Sequence, residues 1–137
     1  MEVTTNMDEN GLNRLVDANL NRLSEGIRVC EDVARYFHND KNLSKNLKDL
    51  RHKCRLPNAK ARLNTRDAIN DVLRPSIQSE MQRDSLLTLL TANYHRAQES
   101  ARVLEEVCKL LYQDYSDTFK TIRYELYTLE KEHLAYN

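Results

Sequence analysis

The sequence predicts an all-α protein, a four-helix bundle built from two duplicated helical hairpins with a partly helical linker between them. Three observations carry this expectation. Only two glycines and two prolines occur in 137 residues, so the residues that make tight turns are scarce. Charged residues make up 31% of the chain and interrupt every apolar run, leaving apolar positions at the three- and four-residue spacing of a helix with one buried face. The stretch ANLNRLSEGIRVCEDVARYF, residues 18–37, returns as ANYHRAQESARVLEEVCKLL, residues 92–111, with eight of twenty positions identical.

The first helix is placed from about Glu9 to Phe37, where Leu12, Leu15, Val16, Leu23, Ile27, Cys30, Ala34 and Phe37 share a face. His38, Asn39 and Asp40 end it. The second, from about Lys41 to Arg55, uses Asp40 as its N-cap, aligns Leu43, Leu47, Leu50 and Cys54, and stops ahead of Pro57. A third long helix begins after Asp84 or Ser85 and runs to about Tyr112. QDYSD interrupts the chain, and the last helix starts near Thr118. LKDLRH, residues 47–52, matches FKTIRY, residues 119–124, so the repeated unit is the whole hairpin, about residues 10–56 and 84–134. The linker, residues 57–83, is unduplicated, with NAKARLNTRDAINDV as its ordered part. A single domain over 1–137 is the expectation for this length.

No stretch reaches the roughly 20 apolar residues of a membrane span, and MEVTTNMDEN lacks the pattern of a signal peptide, so a soluble, cytoplasmic protein is expected. Cys30, Cys54 and Cys108 are odd in number and widely spaced, which fits reduced core thiols. Residues 41–66 carry nine Lys or Arg against one acid, Asp49, although the whole chain has no net charge. That distribution argues against the broad basic footprint of a nucleic-acid binder and favours a small, highly charged ligand.

Both long helices spell Ala-Asn-x-x-Arg-x-x-Glu-x-x-Arg-Val-x-Glu, as Asn19, Arg22, Glu25, Arg28 and Glu31, then Asn93, Arg96, Glu99, Arg102 and Glu105. At 100° per residue, Asn19 falls at the centre of the apolar face, Arg22 and Glu25 lie along its edge, and Arg28 points away. One explanation is a ladder of i,i+3 ion pairs worth tenths of a kcal/mol each. Against it, a buried Asn left without hydrogen bonds costs roughly 1–3 kcal/mol, so Asn19 and Asn93 are expected to hold neighbouring polar side chains. Gly26 and Ser100 occupy equivalent apolar positions, where a small residue lets another backbone or a ligand come close.

In the linker, Arg66, Asp67, Asn70, Asp71 and Arg74 cluster, and Asp67 and Asp71 share a face if this stretch is helical. Two carboxylates so placed could hold Mg²⁺ through waters; a capped surface helix with solvated charges is the alternative. Arg51 and His52 lie on the basic second helix, where a lone His is most often a surface or capping group. With glycines only at 11 and 26, no phosphate-cradling loop exists, so bound phosphates would need Arg, Lys or helix N-termini. The carboxylate-x-x-His stretches at 49–52 and 130–133 imitate a di-iron bundle but fall out of register with the repeat, so a di-iron site is not expected.

DANLNRLSEGIRVCEDVARYF, LKDLRH, RDAINDV and ANYHRAQESARVLEEVCKLL followed by FKTIRYELYTLEK, in that order and spacing, resemble the hydroxymethylpyrimidine-phosphate kinase family. Its members are the small α-helical domain often fused to the N-terminus of bacterial thiamine-phosphate synthase, and the similarity covers about Asn10 to Lys131. The resemblance implies a phosphotransferase with a phosphate acceptor: ATP and Mg²⁺ would be used to convert 4-amino-5-hydroxymethyl-2-methylpyrimidine phosphate to the diphosphate in thiamine biosynthesis. The chain ends at Asn137 without a synthase barrel, which resembles a free-standing member or an excised domain, and Leu73 stands where the motif is expected to carry glycine.

An ionised phosphate acceptor needs little general-base help, so positioning and charge neutralisation dominate such a reaction. On this implied chemistry, Arg96, Glu99 and Arg66 are the candidate catalytic residues. Asn19, Arg22, Glu25, Arg51, His52, Asn93 and Arg102 are the candidate substrate- and phosphate-binding residues, and Asp67 and Asp71 would hold Mg²⁺. The implied partners are the pyrimidine phosphate, a nucleotide and thiamine-phosphate synthase, with neither nucleic acid nor membrane; a homodimer would be one way to complete the site. The alternatives are a non-catalytic helical module that assembles or regulates the synthase, and a nucleotide- or polyphosphate-binding protein without transfer activity.

Overall fold

The computed structural model describes residues 6–77 and 81–136; the first five residues of MEVTTNMDEN and linker positions 78–80 lie outside them. The chain forms α1 (Asn6–Asp32), α2 (Lys41–His52), the short α3 (Ala59–Leu63), α4 (Leu86–Cys108) and α5 (Ser116–Leu134). No strand occurs among the described residues. α1 packs on both α4 and α2, and α5 closes the ring against α4 and α2, while α3 lies on α1. This is the helical bundle that the duplicated hairpins predict.

Helix boundaries follow local chemistry. α1 passes into a π-helical turn, Val33–Phe37, in which the His38 amide reaches back five residues to the Val33 carbonyl at 3.0 Å. The wider turn carries Phe37 off the apolar face where a strict 3.6-residue period places it, and Phe37 is exposed. Asn39, at φ 53°, then reverses the chain in a left-handed conformation that Asn tolerates. Asp40 caps α2 as expected, its carboxylate accepting from the Leu43 amide at 2.9 Å.

α2 ends at His52, short of Arg55, where Cys54 closes a turn onto the Arg51 carbonyl at 3.1 Å. Of the two candidate caps for α4, Ser85 is the one used, accepting from the Thr88 amide at 3.1 Å. α4 stops at Cys108, before Tyr112, and QDYSD folds into a 3₁₀ turn, Gln113–Tyr115, leading into α5.

The core is drawn from one stripe of each long helix: Leu23, Ile27 and Cys30 from α1, Leu43, Leu47 and Leu50 from α2, Leu90, Tyr94 and Leu104 from α4, Phe119, Ile122 and Leu126 from α5. Each such aliphatic or aromatic side chain contributes about 1.5–3 kcal/mol through burial. Leu15, which the helical period assigns to the core, is instead partly exposed. The three cysteines are free and buried, as expected; burial pushes the Cys54 thiol up to about 12 and the Cys108 thiol up to about 11, so both stay protonated.

α1 and α4 run antiparallel, because Asn13 meets Tyr112 at one end while Gly26 meets Asn93 further along. Their crossing depends on Gly26. A Cβ there would lie 3.0 Å from the Asn93 carbonyl oxygen and 3.3 Å from the Ala97 Cβ. The expectation that small residues allow close approach holds for a backbone here, and Ser100 is likewise buried.

The linker begins with an anchor. Arg62 on α3 is buried, donates to the carbonyls of Leu56 (3.1 Å) and Pro57, and lies over the Tyr112 ring. Beyond it, RDAINDV forms turns rather than a helix. Asp67 accepts from the Asn70 amide at 3.1 Å and from its side-chain nitrogen at 2.9 Å, and Asp71 accepts from the Leu73 amide at 3.1 Å. Carboxylates that bond the backbone just ahead of them favour turns over helix.

Candidate functional site

The first half of α1 and the turn segment 66–71 border an open cavity of about 510 Å³. Arg14, Asn19 and Arg22 line it from α1, and Arg66, Asp67 and Asp71 from the linker. Asp17, only 8% exposed, sits in the same lining and accepts from both Nε and Nη2 of Arg66, each at 2.8 Å. This bond raises the Arg66 pKa further above its ordinary value. The Asn70 side chain, bonded to Asp67, holds that carboxyl below the usual range. Arg14 adds a long contact, 3.4 Å, to the Asp67 carbonyl, and Arg22 pairs with no carboxylate among the described residues. Three arginines and three aspartates therefore line one cavity; Asp17 is taken up by Arg66, and the N–H groups of Arg22 and the outer edge of Arg66 are left for an anionic ligand.

The remaining motif residues settle into other tasks. Asn19 donates to the Leu15 carbonyl at 2.9 Å and Asn93 to the Leu89 carbonyl at 2.8 Å. Both asparagines thus satisfy themselves on their own helix backbone, four residues back, instead of holding neighbouring polar side chains. The ladder of i,i+3 pairs does not form on α1: Arg28 pairs with Asp32 at 3.4 Å, and Glu31 turns inward to Arg51.

Glu31 accepts from Arg51 Nε at 2.6 Å and Nη2 at 3.2 Å. In the second repeat, Glu105 accepts from Arg123 Nε at 2.5 Å and Nη2 at 3.0 Å. The match of LKDLRH to FKTIRY already sets Arg51 opposite Arg123, which is the signal that could have revealed both pairs. Arg51 is therefore occupied inside the α1–α2 hairpin rather than placed at the cavity. His52 is exposed at the end of α2 and does not line the cavity.

Glu99 and Arg102 line a second, separate groove of about 410 Å³ between α4 and α5, with His95, Gln98, Arg123 and Tyr127. Arg102 is shared there between Glu105 at 3.5 Å and Glu106 at 3.1 Å. Arg96 is exposed on α4, Asn93 is half-buried where α4 crosses α1 at Gly26, and Glu25 is near enough to act electrostatically on Arg66. The structure thus brings together Asn19, Arg22, Arg66, Asp67 and Asp71, and leaves the second-repeat candidates elsewhere. Asp17, Arg14, Arg62 and Arg123 were not expected. Asp17 opens the first stretch of the family resemblance but has no counterpart in the internal repeat, which has Thr91 in its place.

Among the described residues, no three His, Cys, Asp or Glu side chains gather into a metal-binding group. Asp67 and Asp71 offer only hard oxygen donors, beside open solvent, which fits a cation that keeps most of its waters, as Mg²⁺ does. Among the described residues, no helix is long and apolar enough to cross a membrane.

The chain is similar to several thiamine-phosphate synthases. That of Thermosynechococcus vestitus is 39% identical over 124 residues, 88% of this chain and 34% of that protein. That of Prochlorococcus marinus is 34% identical over 132 residues, covering 95% and 38%, and that of Nostoc punctiforme 36% over 121 residues, covering 85% and 34%. The chain spans about a third of the length of these curated relatives. No solved structure matches it. The ThiD2 family matches residues 14–132, from the first half of α1 to the last turns of α5 and across the whole linker. On that match the chain belongs to the ThiD2 family.

Proposed function

We propose that this chain is a helical module of thiamine biosynthesis that acts together with a thiamine-phosphate synthase. The observation that carries this is the extent of the similarity: 88% of the chain aligns within about a third of a synthase, and the family match over residues 14–132 takes in both hairpins and the linker. Co-purification of the chain with a synthase that lacks this segment tests it; a folded chain that neither binds the synthase nor changes its output of thiamine phosphate overturns it.

A second, finer proposal makes the module a phosphotransferase, and the convergence of Arg22, Arg66, Asp67 and Asp71 on one cavity favours it. An oxygen of the pyrimidine phosphate attacks the γ-phosphorus of ATP, the new P–O bond forms as the bond to the β-phosphate oxygen breaks, and ADP leaves. Mg²⁺, when bound, neutralises charge on the nucleotide phosphates. Arg66, held by Asp17, and Arg22 bind and orient the phosphates, and Asp67 with Asp71 supplies the carboxylates for the cation. A coupled assay of ADP release with 4-amino-5-hydroxymethyl-2-methylpyrimidine phosphate, ATP and Mg²⁺ decides: turnover lost in Arg66→Ala supports it, and no turnover by folded protein excludes it.

A further inference from the structure

We infer that Asp17 is a positioning residue, whose carboxylate turns the guanidinium of Arg66 so that its free edge meets an oxyanion in the cavity. This rests on the proposal that the cavity takes a phosphorylated ligand.

The geometry separates this pair from the other two bidentate pairs. All three use the same edge of the guanidinium, Nε together with Nη2. In Arg51 and Arg123 the side chains are 20% and 14% exposed, with most of the head group packed between helices. Arg66 is 46% exposed while its acid is 11% exposed, so one edge is fixed against α1 and the rest is open. A guanidinium has five N–H bonds in one plane. With Nε–H and one Nη2–H given to Asp17, the other Nη2–H and an Nη1–H remain as a second parallel fork, spaced for two oxygens of a phosphate.

The tether matters because of where Arg66 sits. It lies in a segment of turns, not in a helix, so the backbone alone does not fix the direction of its long side chain. Arg22, by contrast, is set by α1 and lines the same cavity with no carboxylate partner among the described residues. The pair also has no counterpart in the second repeat, because Thr91 replaces Asp17 and the linker is unduplicated. Asp17 and Arg66 thus give the first repeat an anion-facing group that the second does not have.

The experiment is calorimetric titration of the full chain with inorganic pyrophosphate, for the wild type, Asp17→Asn, Asp17→Glu, Arg66→Ala and the double variant Asp17→Asn/Arg66→Ala, each checked by thermal melting. Asp17→Asn and Arg66→Ala each weaken binding by about tenfold or more, Asp17→Glu recovers part of the loss, and the double variant binds no more weakly than Arg66→Ala alone. If Arg66→Ala weakens binding but Asp17→Asn stays within about twofold of wild type, whatever its melting temperature, Asp17 only fastens the linker and the inference is overturned. If the wild type and Arg66→Ala are alike, or neither binds, the proposal of an anion site in this cavity fails and the positioning role falls with it.

Discussion

Glu105 grips Arg123 with both carboxylate oxygens, at 2.5 Å and 3.0 Å, and ties α4 to α5 from the inside. The Arg123 hydrogen bond holds the Glu105 carboxyl below its ordinary range. Removing Arg123 leaves the buried Glu105 carboxylate with only the long Arg102 contact at 3.5 Å, a loss toward the lower end of the about 3–5 kcal/mol for a stranded buried charge, whereas replacing both by apolar residues of similar volume is close to neutral. Arg123→Ala is therefore expected to lower unfolding stability by about 3 kcal/mol, and Glu105→Leu with Arg123→Met by far less. Urea denaturation of the three variants measures this.

Arg51 obeys the same logic through Glu31 and is expected to act on stability rather than on ligand. Arg51→Ala is expected to lower the denaturation midpoint clearly. His52→Ala, at an exposed position, should shift stability by no more than about 0.5 kcal/mol and leave anion binding unchanged. Paired denaturation and titration experiments distinguish the two residues.

The α1–α4 crossing makes Gly26 hard to replace. Alanine gains about 1 kcal/mol of helix propensity over glycine. Its Cβ, however, meets the Asn93 carbonyl at 3.0 Å, a backbone atom that cannot swing aside. Overpacking of this kind costs about 1–3 kcal/mol, so Gly26→Ala should end slightly destabilised and Gly26→Val much more so. Thermal melting gives the order.

At the far end of the bundle His133 is fully buried, with Nδ1 at 2.7 Å from the Tyr94 hydroxyl and Nε2 at 3.1 Å from His38 Nδ1. Burial pushes its pKa down to about 4, His38 pushes the same way, and Asp40 opposes them. An unfolded His titrates near 6.5, so between about 6.5 and 4 the unfolded chain takes up a proton that the folded one refuses. Stability should fall as pH is lowered through that window, by up to about 1.4 kcal/mol per unit. The loss from Glu105, whose folded pKa is depressed, begins only below the ordinary Glu value of about 4.3. The slope between pH 6.5 and 4.5 should therefore flatten in His133→Gln; an unchanged slope would assign it elsewhere.

The helices were legible because periodicity and caps are local: Asp40 and Ser85 start helices with side chains that bond the next turn. The duplication made the bundle legible too. Individual site residues were harder, because whether Glu31 faces solvent or Arg51 depends on how α2 packs, which no one-helix pattern contains. Asn19 and Asn93 misled for a related reason, since an i−4 backbone carbonyl is a partner available on any helix. Asp17 was invisible because its partner, Arg66, is forty-nine residues away in a segment without periodicity. The cluster of charges in RDAINDV was legible, but its shape was not, because side-chain bonds to the next amides settle it as turns.

The proposal that this module acts with a thiamine-phosphate synthase is tested most directly by reconstitution. A synthase lacking the segment that this chain matches is supplied with its substrates, and the thiamine phosphate formed is measured with and without the chain. Added chain is expected to raise the output, and Arg66→Ala to raise it less. An output that stays the same when the folded wild-type chain is added, with no co-purification of the chain and the synthase, would contradict the proposal.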